Sequence, residues 1–317
     1  MNILLTGCAG FIGFHVTKTL LERGDRVIGI DNFNDSYDTN VKEDRNKILQ
    51  TYPNYSLHRI DLCDQEKMRD IFQKEQINKI CHLAARAGVL PSLKNPYPYE
   101  KTNILGTTTI LQLAAEFGIK DIVIASSSSV YGANTKFPSS EDDRVDFPIS
   151  LYAATKKAAE IISYYYHQMF KLNITLLRFF NVYGEFGRPD MMPWIFTENI
   201  LLGKAINVNN HGDTWKDYTY ITDITRGVVA SIDKPFSFEI INLGNHTPVH
   251  LKQCIEIIEQ EVEKKAIINW KPMQEGDVVK SFADVSKAKR LFDWEPTTKM
   301  EVGLVNFIKW YRAYKKI

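Results

Sequence analysis

Short apolar runs and longer amphipathic stretches take turns along the first half of this chain. Asn2-Ile3-Leu4-Leu5 reads as a strand, Phe14 to Arg23 as a helix, and Arg26 to Ile30 as a second strand. Further strands are predicted at Lys79 to Leu83, Asp121 to Ala125 and Asn173 to Phe179. Helical spacing separates them at Gln65 to Lys74, Tyr97 to Phe117 and Leu151 to Phe170. Alternation of this kind predicts an α/β fold, a doubly wound parallel sheet with helices on both faces.

Beyond about Asn181 the elements become shorter and less regular, with Gly, Pro and Asn between them. Helical patterns return at Thr222 to Ser231, Leu251 to Glu263, Ser286 to Leu291 and Met300 to Tyr314. The expected organisation is a sheet domain over 1–180 plus about 217–238. A smaller mixed α/β C-terminal lobe takes about 181–216 and 239–317, with a cleft between the two.

Composition narrows the partners. With 317 residues, the chain is long for one core and suits two lobes. Lys+Arg 39 against Asp+Glu 38 leaves almost no net field, so neither nucleic acid nor a membrane surface is expected as partner. An anionic ligand must then be met by a few placed groups. Cys8, Cys63, Cys81 and Cys254 have no paired spacing, so no metal site and no disulfide framework are expected, and a reducing, cytoplasmic location fits. No apolar run is long enough for a membrane span or a signal peptide.

Gly7-x-x-Gly10-x-x-Gly13 follows the first strand and opens the first helix. Glycines there permit a tight turn, close backbone approach to a pyrophosphate and close strand–helix packing, while the helix N-terminus offers unpaired N–H groups. The spacing differs from the commoner GxGxxG. Asp31 ends the second strand, where a carboxylate suits the two hydroxyls of an adenosine ribose and would repel a 2′-phosphate. No Arg adjoins it, so the expected cofactor is NAD rather than NADP. Asp61, just past Ser56 to Ile60, suits contact with the adenine.

Tyr152 and Lys156 stand four apart on one predicted helix and share a face. A free phenol is a poor base at neutral pH. A nearby ammonium and a positive nicotinamide ring would favour the phenolate. Many helices contain such a Tyr-x-x-x-Lys string by chance. Here it is joined by Ala125-Ser126-Ser127-Ser128-Ser129-Val130-Tyr131-Gly132, hydroxyls at the C-terminal end of a strand, where such sheets bind ligands.

With these segments and HLAARAGV, SLYAATKKAAE, LRFFNVYGEFGRPDMM, KDYTYITDI, MQEGDV and ADVSKAKRLFDWEPTT, the chain resembles the extended short-chain dehydrogenases/reductases over nearly its whole length. Within them it resembles the nucleotide-sugar 4-epimerases, and most nearly those acting on UDP-glucuronate. The resemblance implies a Rossmann-type domain, bound NAD and a UDP-sugar substrate. It implies that Tyr152 exchanges a proton with the sugar 4-hydroxyl, that Ser127 polarises the same oxygen, and that Lys156 holds the nicotinamide ribose. A transient 4-keto sugar would turn in the cleft and be reduced on its other face. Asn103 matches a residue that supports the catalytic helix. Phe11, Ile12, Asn32, Leu62, Leu83 and Ala84 are expected around the dinucleotide, as are Ala85, Phe179 and Val182. Ser128, Ser129, Asn181, Arg188, Lys216 and Asp277 are expected on the substrate side, the last holding the uridine ribose.

Four departures bear on the sugar. The glucuronate enzymes usually read AGVR where this chain has Leu90, and RFFTVYGPWGRPDM where it has Asn181 and Glu185-Phe186. The usual Arg of RDF is Lys216, which keeps charge but loses a bidentate fork. Asn181 is closer to the pattern of UDP-glucose and UDP-N-acetylglucosamine epimerases, and Glu185 adds a negative charge unhelpful to an acid sugar. UDP-glucuronate is preferred, with those two sugars as the alternative. A 4,6-dehydratase would need an acid pair where Ser128-Ser129 stands, a decarboxylase would release CO2, and a non-catalytic scaffold would be free to lose Ser127, Tyr152 and Lys156. Apolar and aromatic excess on the helix from Leu151 to Phe170 predicts, with Tyr97 to Phe117, a homodimer through a helix pair.

Overall fold

The computed structural model describes every residue but Glu275 and Asp277. Its centre is a seven-stranded sheet: β1 (Asn2–Thr6), β2 (Arg26–Ile30), β3 (Tyr55–His58), β4 (Lys79–His82), β5 (Asp121–Ser127), β6 (Asn173–Phe179) and an edge strand Phe238–Leu243. Their order across the sheet is edge strand, β6, β5, β4, β1, β2, β3, with every pairing parallel. The order reverses between β1 and β4, which opens a crevice at the carboxyl ends of those strands.

Period-two alternation divides the apolar residues between two cores. Ile3, Leu5, Val27, Val123 and Leu177 point to the face covered by the helices Phe11–Glu22 and Ile221–Asp233, which contribute Phe14, Leu20, Ile224 and Val228. Leu4, Ile28, Ile80, Ile122, Ile124 and Leu176 point the other way, against Ile110, Leu111 and Tyr166. The large sheet thus continues to Leu243, and we draw the lobe boundary after that residue rather than near 238. The helix expected from Tyr97 to Phe117 forms as one run to Glu116, with a wider π-type turn at Glu100–Leu105.

The smaller lobe has its own core of Trp194, Phe196, Ile206, Ile255, Ile258, Leu304, Phe307 and Tyr311. Short strands brace it: 205–208 with 267–270, and 215–216 between 249–250 and 280–281. Strands 181–183 and 218–220 pair in parallel. Cys8, Cys81 and Cys254 are buried, while Cys63 is only half-buried. Among the described residues no helix is long and apolar enough to cross a membrane.

One side chain stitches the parts together. The helix Thr39–Leu49 was not legible from apolar spacing, and it buries Lys42 and Arg45 beside Val41 and Leu49. Arg45 is fully buried. Its guanidinium donates to the carbonyl of Ala9 in the glycine turn (2.9 Å), to the Tyr37 hydroxyl (2.7 Å), and to the carbonyls of Phe186 (2.5 Å) and Gly187 (3.3 Å). Replacing Arg45 by Met would leave these acceptors without a donor in a closed site. We expect a loss of about 3 kcal/mol or more in urea denaturation.

Candidate active site

The glycine turn and the carboxyl ends of β1, β4, β5 and β6 surround a cleft of about 520 Å³. At the cofactor end, closeness of backbone decides the residue type. A Cβ at Gly13 would lie 1.9 Å from the Gly7 carbonyl oxygen, and Gly7 itself has φ +75. The helix that follows begins at Phe11 with Gly10 as cap and no side chain bonded to its first N–H groups, which leaves them for an anionic ligand. Asp31 is buried at the end of β2 and accepts from the N–H groups of Ala9 (3.1 Å) and Phe33 (2.8 Å). The turn, the free helix end and this carboxylate fit a dinucleotide.

Most expected residues line the cleft: Gly7, Gly10, Phe11, Ile12, Gly13, Asp31, Asn32, Leu62, Leu83, Ala84 and Ala85 at one end, with Phe179 and Val182. Ser127, Ser128, Ser129, Tyr152, Lys156, Asn181 and Arg188 line the other. Asp61 does not. Its carboxylate caps the Cys63 N–H (2.9 Å) and lies 3.5 Å from Lys101 Nζ, at the rim, while Ile60 and Leu62 face inward. Asn103 also stays outside the lining. From the wide turn its side chain pairs with both backbone groups of Arg86 (2.8 and 3.0 Å) and donates to Thr155 Oγ1 (3.0 Å), behind Tyr152. Lys216 donates to the Val278 carbonyl and does not line the cleft. Asp277 lies outside the described residues.

Ser150 caps the helix Leu151–Phe170 through the Ala153 N–H, which sets Tyr152 in its first turn and Lys156 in the next. The Ser127 hydroxyl lines the cleft beside the Tyr152 phenol, near enough to act on its proton affinity. The phenol departs from one expectation. Burial raises it above the ordinary tyrosine range, and the groups pulling it down are Ser127 and the Arg188 charge rather than Lys156. Lys156 is itself buried and lowered to about 8 by that burial, against the opposing pull of Glu160. Among the described residues no hydrogen bond reaches its ammonium, which borders the cleft.

Behind the pair runs a polar row. Thr6 Oγ1 meets His82 Nδ1 at 2.7 Å, and His82 Nε2 meets Thr107 Oγ1 at 3.1 Å. Thr107 donates to the Asn103 carbonyl, Asn103 to Thr155, and Thr155 to the Tyr152 carbonyl. Burial, with the Lys156 charge, lowers His82 to about 3, so the imidazole is neutral.

Lys42, Tyr37 and Asp190, which no sequence motif singles out, also border the cleft. Lys42 Nζ is 3.9 Å from Asp31 and 5.2 Å from the Tyr37 ring centre, and Arg188 lies over the same ring. Asp38, whose side chain caps the Asn40 N–H, was the signal for the helix that carries Lys42. Arg188 is gripped by Asp190 through both carboxylate oxygens (2.9 and 2.6 Å). Glu185, expected to add charge near the sugar, turns away: the Tyr220 hydroxyl holds it at 2.6 and 2.7 Å, outside the lining. Phe186 packs among Phe14, Trp310 and Tyr314.

The model of a family described as GDP-mannose 4,6 dehydratase matches residues 4–306. A UDP-glucuronate 4-epimerase of Thermodesulfobacterium geofontis is 44% identical over 308 residues, covering 97% of this chain and 95% of that protein. The crystal structure of UDP-glucuronic acid 4-epimerase from Bacillus cereus, in complex with UDP-glucuronic acid and NAD, superposes with TM-score 0.94 at 31% identity over 99% of this chain and all of that one. A UDP-glucose 4-epimerase of Thermotoga maritima with UDP-glucose has TM-score 0.91 at 32% identity, covering 99% and 100% of the two chains.

The buried ammonium has a stability signature. A lysine whose folded value lies below its unfolded one costs stability when protonated, so the cost is full below about 8 and fades toward 10.5. We expect Lys156→Met to stabilise the ligand-free protein by about 3 kcal/mol at pH 7. In urea denaturation the difference from wild type should shrink as pH rises through that window.

Proposed function

We propose, on the premise that this chain belongs to the GDP-mannose 4,6 dehydratase family of extended short-chain dehydrogenases/reductases, that it epimerises UDP-glucuronate at C4 with NAD as its cofactor. One observation carries the reading: Ser127 at the mouth of β5, Tyr152, and Lys156 one helical turn further on line the same cleft as the glycine turn. Tyr152 takes the proton of the sugar 4-hydroxyl and later returns one. Ser127 holds the same oxygen in line. The Lys156 ammonium binds ribose hydroxyls, and Asp31 receives those of the adenosine end. NAD, when bound, supplies the two-electron exchange at C4 and a positive ring that draws the phenol toward phenolate.

Lys42, Lys156 and Arg188 border the cleft against Asp31 and Asp190, which suits an anionic ligand. A dehydratase is disfavoured because Ser128 and Ser129 occupy the place of an acid pair, and Asp190 is committed to Arg188. The choice of glucuronate draws support from the relatives and from Glu185 facing away. Asn181 and Leu90, both on the cleft, favour UDP-glucose or UDP-N-acetylglucosamine as the second reading. A 4-keto sugar with a C5 carboxylate is a β-keto acid, so an enzyme of the first kind must also restrain loss of CO2. The four free cysteines are consistent with a cytoplasmic site of action.

Purified protein incubated with each UDP-sugar, with 4-epimers resolved by chromatography and pentose followed by mass spectrometry, tests both readings. UDP-galacturonate is the expected product from UDP-glucuronate. An inert glucuronate beside clean UDP-glucose turnover overturns the first. Tyr152→Phe should lower turnover by about 10²–10⁴-fold while NAD stays bound.

We also propose a homodimer. Ile161, Tyr164, Tyr165 and Met169 are exposed on the helix Leu151–Phe170, and Leu105 and Phe117 are exposed on its neighbour. Light scattering should give twice the chain mass, and Tyr165→Asp with Met169→Asp should give the single mass with the fold intact.

A further inference from the structure

We propose that Glu160 is the positioning residue of this site: it anchors the end of the strand bearing Ser127 and serves as counter-charge to the Lys156 ammonium. The proposal rests on the reading of Ser127, Tyr152 and Lys156 given above.

Tyr152, Lys156 and Glu160 follow at four-residue steps on the helix Leu151–Phe170, so one helical face presents all three toward the sheet. Both Glu160 oxygens are engaged. Oε1 accepts from Ser126 Oγ (2.6 Å) and Arg178 Nε (2.9 Å), and Oε2 accepts from Arg178 Nη2 (2.9 Å). Lys157 Nζ stands 3.6 Å from Oε2. Ser126 adjoins Ser127 at the end of β5, so the bond to Glu160 fixes the strand where its hydroxyls enter the cleft. Arg178 also donates to the Tyr131 hydroxyl (3.2 Å), which in turn donates to Asn242 Oδ1 (2.7 Å).

Glu160 and Arg178 are almost entirely enclosed. A buried ion pair adds little stability over apolar residues of the same volume, because desolvation offsets the attraction. Leucine and methionine would fill this space. What they would lack is a negative end on the helix that carries Lys156. Among the described residues the other groups near Lys156 are neutral His82 from β4, on which the Lys156 charge acts, and Ser126, Ser127 and Tyr152, which line the same cleft. Glu160 is the charge that acts on Lys156, and it opposes the effect of burial.

The test follows Lys156 directly in protein labelled with [¹³C]lysine, its Cε signal assigned with Lys156→Met and titrated without turnover. In Glu160→Gln the midpoint should fall by about one pH unit from the wild-type position, and the alkaline limb of kcat/KM should fall with it. In Arg178→Gln the carboxylate loses its neutralising partner and the midpoint should rise. A residue with only a packing role would not move the two variants in opposite directions. A folded Glu160→Gln protein with an unmoved Lys156 midpoint overturns the proposal. If Glu160→Gln does not fold, Glu160→Asp, which keeps the charge, decides: a Lys156 midpoint held near wild type supports the proposal, and a fall of about one pH unit overturns it. The underlying reading fails separately, if wild-type protein converts no UDP-sugar, since the titration is read in either case.

Discussion

The approach of the first helix to the Gly7 carbonyl is the constraint on which the site depends. Gly10 N–H bonds that oxygen at 2.9 Å, and there is no room for a side chain at Gly13. The helix end can therefore sit directly above β1, at the place where the strand order reverses. Every later feature refers to this point. Asp31 fixes the turn from β2, Arg45 fixes it from the polar helix, and β4 to β6 bring the hydroxyls, the phenol and the lysine around to the same crevice.

Much of this was legible because the relevant signals are local. Strands β1, β2, β4, β5 and β6 and the helix Leu151–Phe170 carry apolar residues at the expected period, and the glycine spacing specifies its own turn. The helix Thr39–Leu49 escaped because it buries Lys42, Arg45 and Asn46 on the face that periodicity expects to be apolar. Its reason for folding lies in distant carbonyls, which no local pattern records. The wide turn around Asn103 was hidden as well, since a π-type turn within a helical run has no residue signature of its own.

The charges of the site depart from the sequence pattern more than the fold does. A charge balance near zero hid an uneven distribution: cations gather around Tyr37, and carboxylates neutralise some of them and not others. Glu185 shows why a residue's neighbourhood in sequence is a weak guide. The next two carbonyls are held by Arg45, and its own carboxylate is held by Tyr220, out of the cleft. Tyr152 shows the converse: four residues from a lysine, it draws its help from Ser127 and Arg188 instead.

The row from Thr6 through His82, Thr107, Asn103 and Thr155 has a mechanical meaning. Thr107 and Thr155 commit their protons to the Asn103 and Tyr152 carbonyls, so the row acts as a crossbar from β1 and β4 to the helix that carries Tyr152. The cofactor cleft and the Tyr152 ring are thereby mounted on one chassis. A shift of that helix along the sheet would have to break the row, so the Tyr152 ring and the cleft keep one fixed spacing.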